Sequence, residues 1–185
     1  VKALQSTLND DNIDIIMSAI GGYGSVQLID KLDFQKISKR KKIIGFSDVT
    51  HLLFPLYDFT NADVYLGPAF INFCNPYITD NTKKCFESII LDDVKEFDYV
   101  SPKNFYEDDW YKNVDRKSLP KDCLGYNFIK GGVVVGPCVG GNLPSMLDLF
   151  GTNYKPIIKQ GTILLIEVVS TDSPEIIMDK YYKLK

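Results

Sequence analysis

In the stretch "KIIGFSDVTHLLF", Lys42 to Phe54, a serine follows an apolar run of strand length and precedes an acidic residue and a helical pattern. Two chemistries fit Ser47. As an N-cap its hydroxyl would accept a backbone N–H of the helix that follows. As a nucleophile on a sharp strand-to-helix turn it would stand above a sheet, with the next backbone N–H aimed at a developing oxyanion. Gly45 leaves room two residues before the serine, whereas Val49 stands where a G-x-S-x-G turn has its second glycine. The local pattern alone favours the cap.

Other residues could also do chemistry. "GGYGS", Gly21 to Ser25, lies between a predicted strand and a predicted helix, where glycines let backbone N–H groups approach an anion. It is not a dinucleotide fingerprint, because Gln27 occupies the place of the third glycine. Glu167 lies in "GTILLIEVV", and a carboxylate in so apolar a run needs a partner or stays protonated. His51 is the sole histidine and falls one helical turn after Ser47. Side chains lean toward a helix N-terminus, so contact with Ser47 is conceivable, but a surface or packing role is the commoner outcome.

The elements that must position these residues read as α/β. "IDIIMSAI" and "KKIIGF" are short apolar runs suited to buried parallel strands, and "ADVYLGPAF" is a third. Between them, "GGYGSVQLIDKLD" predicts a short helix with Val26, Ile29 and Leu32 inward. "SDVTHLLFPLYDF" predicts another with Val49, Leu52, Leu53 and Leu56 on one face, kinked or ended at Pro55. Alternating strands and helices make a parallel sheet. "TDNTKKCFESIILDD" predicts a further helix, "GGVVVGPCVGGN" and "GTILLIEVV" strands flanking the helix "LPSMLDLFGTNY", and "SPEIIMDKYYKLK" a helix capped by Ser173. The expected organisation is a domain over 1–95, a linker with excursion loops over 96–130, and the start of a second domain over 131–185.

Composition excludes several classes. A chain of 185 residues, 45% hydrophobic and 24% charged, can bury a real core. Its net charge of -3 argues against a nucleic-acid or anionic-membrane surface. The basic run Lys39 to Lys42 reads as the solvated entry to a strand. Cys74, Cys85, Cys123 and Cys138 lack CxxC spacing, so with one histidine no metal site is expected. Four scattered thiols fit a reducing compartment, and a cytoplasmic location is expected. No apolar run is long enough to span a bilayer.

In their order, "IMSAIGGYGSVQLIDKLDF", "KKIIGFSDVTHLLFPLY", "YLGPAF", "VVGPCVGGNLPSMLDLFGTNYKP" and "GTILLIEVV" resemble the LD-carboxypeptidase family of serine peptidases, and within it the microcin C immunity branch. The resemblance implies a flavodoxin-like parallel sheet with flanking helices, joined to part of a second β-rich α/β domain, and a Ser-Glu-His triad. By it Ser47 matches the nucleophile, Glu167 the acid that orients the histidine, and the N–H of Asp48 with one from Gly21 or Gly22 the oxyanion hole. It further implies substrate contacts from Asn142 and from Trp110, whose ring could stack on a nucleobase or simply pack. The reaction implied is amide hydrolysis beside a free carboxylate, on a peptide or an aminoacyl-nucleotide, with no cofactor and a tendency to pair as a homodimer.

The sequence also departs from that pattern. Only 18 residues follow Glu167 and none is histidine, while His51 does not occupy the matched position. The family's first strand and helix are not found before Val1, and Val168 stands where an acidic residue usually follows the glutamate. The expectation is an internal portion of a longer enzyme, inactive alone. Two other classes stay open: a catalytically dead binding module for the same ligands, and a flavodoxin-like nucleotide or flavin binder argued from "GGYGS".

Overall fold

The computed structural model describes residues 1–37, 40–106, 119–169 and 172–184. Val1–Phe70 with Val134–Lys185 form one compact unit, and Ile71–Val133 form another.

The chain opens with α1 (Lys2–Asn9), β1 (Ile15–Met17), α2 (Val26–Ile29), β2 (Lys42–Gly45), α3 (Thr50–Phe59) and β3 (Asp63–Leu66). The strands are parallel in the order β1-β2-β3, with Ile16 opposite Ile43 and Ile44 opposite Tyr65. This is the α/β architecture that the alternating pattern predicts. β2 is the middle strand, and Ile43 and Ile44 are both buried. Burial on both faces is why the strand reads as an unbroken apolar run rather than an alternating one.

After β3 come α4 (Phe70–Phe73), α5 (Asp80–Phe86), a single π-helical turn over Glu87–Leu91, and an antiparallel pair of two-residue strands, β4 (Asn104–Phe105) and β5 (Lys121–Asp122). α5 is capped by Thr79, whose hydroxyl accepts the N–H of Thr82. The remaining elements are β6 (Cys138–Asn142), α6 (Leu143–Leu149), β7 (Ile163–Glu167) and α7 (Pro174–Tyr182). β6 and β7 form a parallel pair. Ser173 caps α7 as its position predicts, accepting the N–H of Ile176.

The core of the first unit joins Ile29, Phe34 and Ile37 to Ile43 of β2, Leu52, Leu53 and Leu56 of α3, and Met146 and Leu149 of α6. Each such side chain contributes roughly 1.5–3 kcal/mol on burial. α3 reaches Phe59, as the pattern predicts, and does not end at Pro55, which is fully buried. The lost N–H costs one helix hydrogen bond. Burial of Leu52, Leu53, Phe54 and Leu56 outweighs that cost. The far end is held by Phe59, whose ring sits 6.2 Å from Phe34 and 5.9 Å from Tyr154. No described helix is long and apolar enough to cross a membrane.

Lys41 corrects the reading of the basic run as a solvated stretch. It is 1% exposed, and its Nζ donates to the carbonyls of Asp10 at 2.5 Å and Ile13 at 2.7 Å. The ammonium thereby ties the α1–β1 connection to the start of the central strand. Lys41→Met keeps the apolar stem and removes the donor from both carbonyls. The expected result is a loss of about 2 kcal/mol, read as a lower urea midpoint at unchanged slope. An unshifted midpoint would show that the two carbonyls do not depend on the ammonium.

Candidate active site

The carboxyl end of a middle strand is where an open α/β sheet leaves a crevice, and β2 delivers Ser47 there. Phe46 is extended, and Ser47 then turns into the left-handed region at φ 56°. A non-glycine residue in that conformation costs roughly 1–2 kcal/mol, so contacts must hold it. One of them is the Ser47 N–H, which donates to Glu167 Oε1 at 3.0 Å. Another is the N–H of Val49, which closes the turn on the Phe46 carbonyl at 3.2 Å. A Cβ at position 45 would stand 2.6 Å from Val49 Cγ1. Val49 therefore fills the room that Gly45 leaves, which is how this turn dispenses with a second glycine.

The N-cap positions fall on either side of Ser47, at Phe46 for the 3-10 turn over Ser47–Val49 and at Val49 for α3. Neither Phe46 nor Val49 caps through its side chain. At φ 56° the Ser47 backbone has left the extended conformation from which a cap hydroxyl reaches back to the helix.

Glu167 ends β7, directly opposite Asn142 of β6. The Asn142 N–H donates to Thr50 Oγ1 at 3.1 Å, and Thr50 is wholly buried at the start of α3. Ser47, Glu167, Asn142 and Thr50 thus close a ring that pins the β6–β7 pair to the turn at two points. Thr50 was not singled out from the sequence, although it stands in "SDVTHLL" one turn after the serine. The Asn142 Oδ1 accepts the N–H of Ser145 at 3.3 Å and its hydroxyl at 3.0 Å, capping α6. Glu167 is half-buried rather than enclosed in an apolar core, and its Oε1 accepts a backbone N–H. The expected histidine contact is not made within these residues.

The glycine loop comes to the same place. A Cβ at Gly21 would lie 3.0 Å from Ser47 Cβ and 3.3 Å from its Oγ, so the Gly21 backbone passes beside the hydroxyl. Gly22 follows at φ 151°. Asp48 Oδ2 accepts the N–H of Ser25 at 3.0 Å and ties the end of this loop to the turn. Trp110 lies outside the described residues.

His51 faces elsewhere. Its Nδ1 lies 2.8 Å from the Asp48 carbonyl and 3.1 Å from Asp48 Oδ1, and its Nε2 lies 3.2 Å from Asp148 Oδ2. The ring is 4% exposed, so the packing role is the one observed. Among the described residues no group of three or more His, Cys, Asp or Glu side chains is arranged to hold a metal ion. What assembles is the Ser47 hydroxyl beside the Gly21 backbone, with the Glu167 carboxylate on the serine's own N–H.

The chain is similar to known proteins along most of its length. Residues 1–67 match the LD-carboxypeptidase N-terminal domain. The chain is 34% identical over 172 residues to a Vibrio cholerae protein named "Putative carboxypeptidase", covering 90% of this chain and 51% of that one. To the microcin C7 self-immunity protein MccF of Escherichia coli it is 33% identical over 162 residues, covering 84% and 47%. Among solved structures, an MccF-like protein from Bacillus anthracis superposes with a TM-score of 0.84 at 26% identity, over 100% of this chain and 55% of that one. The chain spans about half the length of the curated relatives it matches.

A strained serine predicts an unusual stability pattern. Ser47→Gly relieves the left-handed backbone and should hold at or above the parent stability by about 0.5–1 kcal/mol, with Ser47→Ala close to the parent. Thermal midpoints of the three proteins decide it. A fall of about 1 kcal/mol in Ser47→Ala with a smaller fall in Ser47→Gly is the signature of a lost cap, and would contradict the strained turn.

Proposed function

Because the chain belongs to the LD-carboxypeptidase family, we propose that Ser47 is the nucleophile of a serine amide hydrolase acting beside a free carboxylate. The observation that carries the reading is the left-handed Ser47, with Glu167 on its N–H and Gly21 alongside its hydroxyl. The Ser47 oxygen attacks the scissile carbonyl carbon as an imidazole takes its proton. The resulting oxyanion is held by the N–H of Asp48 and one from Gly21 or Gly22, where fixed donors are worth most. The imidazolium then protonates the leaving nitrogen, the C–N bond breaks, and water hydrolyses the acyl-enzyme by the same route. Glu167 has two oxygens and two tasks. Oε1 braces the serine's backbone, and the other oxygen orients the imidazole.

That imidazole is not His51, whose ring nitrogens both face aspartate oxygens. The relatives are about twice as long as this chain, and the base is assigned to polypeptide beyond these 185 residues. The substrate class is a short peptide or an aminoacyl-nucleotide. Solved MccF structures hold glutamyl sulfamoyl guanosine and aspartyl sulfamoyl adenosine. In this reading Trp110 stacks on a nucleobase, and Asn142 contacts substrate through Nδ2, since Oδ1 caps α6. A cytoplasmic homodimer is the expected state.

A second reading is a binding module for the same ligands that hydrolyses nothing. The observation favouring it is the commitment of the only histidine to two aspartates. Chromatographic turnover of an L,D-peptide and an aspartyl-sulfamoyl-nucleoside separates the two. A chain extended to the length of its relatives should hydrolyse one of them, and Ser47→Ala should lower kcat by roughly 10⁴-fold or more. The 185-residue chain alone should bind but turn over little. Hydrolysis by that chain, abolished by Ser47→Ala, would overturn the assignment of the base. An extended chain that binds both ligands and cleaves neither would favour the binding module.

A further inference from the structure

The loop from Gly21 to Ser25 has little of its own to hold it beside the serine. Gly22 and Gly24 both take positive φ, 151° and 95°, and the Tyr23 side chain is fully exposed. A Cβ placed at Gly22 would meet nothing within 4 Å. The tie to the serine turn is the Ser25 N–H on Asp48 Oδ2. The other oxygen of that carboxylate, Oδ1, faces His51 Nδ1, which also faces the Asp48 carbonyl. Nε2 of the same ring faces Asp148 Oδ2, on α6. Polar contacts therefore run from α6 through the buried ring to Asp48, and a hydrogen bond continues from Asp48 to the glycine loop. With its N–H on Nδ1 the buried ring donates to the Asp48 carbonyl and to Oδ1, so a swing of the carboxylate away from Ser25 also gives up the contact at Oδ1.

We infer that His51 is a positioning residue for the oxyanion hole. By holding the Asp48 carboxylate on Ser25 it sets the N–H groups of the Gly21–Gly22 turn against Ser47. The inference rests on the proposed acyl-transfer reading for its consequence, and on the geometry alone for the holding. A misplacement of about 1 Å in such donors is enough to cost a large factor in rate. The helix spacing that puts His51 near Ser47 thus serves the turn by another route than proton transfer.

The holding is tested by amide hydrogen exchange on the 185-residue chain. His51→Leu and Asp48→Ala should each speed exchange at residues 21–25 by about tenfold or more, while amides of β2 stay protected. The consequence is tested on the extended enzyme. Each variant should lower kcat by about 10–100-fold at a KM within twofold, because only the transition state uses the hole. The double variant should fall no further than the worse single, as expected of groups in one path. Should His51→Leu fail to fold, Asp48→Ala carries both tests, since it cuts the same path next to the loop. Unchanged exchange at 21–25, or kcat per folded molecule within twofold of the parent, would overturn the inference, and so would multiplicative losses in the double variant. Ser47→Ala run alongside keeps the two ideas apart. If it turns over like the parent, the acyl-transfer reading fails, while the exchange result still judges the holding.

Discussion

The hydrogen bond from the Ser47 N–H to Glu167 Oε1 is the contact on which the site depends. It joins residues 120 apart and holds a serine in a backbone conformation that costs roughly 1–2 kcal/mol. A hydrogen bond to a charged group returns about 1.5–3 kcal/mol, so the balance favours the strained turn while the carboxylate is in place. Without it the serine would have reason to relax into an ordinary helix start. The hydroxyl would then leave the Gly21 backbone.

Holding the carboxylate in place is the work of the sheet and its neighbours. The β6–β7 ladder sets Asn142 opposite Glu167, and a slip of one residue would turn the glutamate to the other face. Thr50 guards against that slip by accepting the Asn142 N–H from a fully buried position at the start of α3. α3 is itself fixed by core contacts to β2 and α6, so the serine turn and the β6–β7 pair are tied to elements that share one core. Catalytic groups on strand ends and helix starts keep their geometry better than groups on free loops. The exception is the glycine loop, whose tie to the turn passes through Asp48.

Much of this was legible in the residues. The apolar run of β2 and the helical spacing on either side of it point to a parallel sheet, because burial on both faces leaves that pattern, whereas β1 and β3 are only half-buried. Ser47, Gly21 and Glu167 stood out by type and context, and they meet. What the sequence hid were choices made by packing. Pro55 continues a helix because its neighbours are buried deeply enough to absorb a lost bond. Lys41 is buried because two loop carbonyls take its ammonium, a pairing that no local pattern encodes. Thr50 and Asp148 matter through partners 92 and 97 residues away. The residues around Ser47 fit a cap and an elbow alike, because the two share one sequence signature, and the left-handed backbone angle is visible only in the structure.

The central claim is that Ser47 is the nucleophile and that Glu167 makes it one. Intact-mass spectrometry of the extended enzyme treated with a serine-directed fluorophosphonate tests it most directly. The account predicts one adduct per chain, mapping to the peptide that contains Ser47, absent in Ser47→Ala and formed at least tenfold more slowly in Glu167→Gln. An adduct that persists in Ser47→Ala, or one that forms at the parent rate in Glu167→Gln, would contradict it.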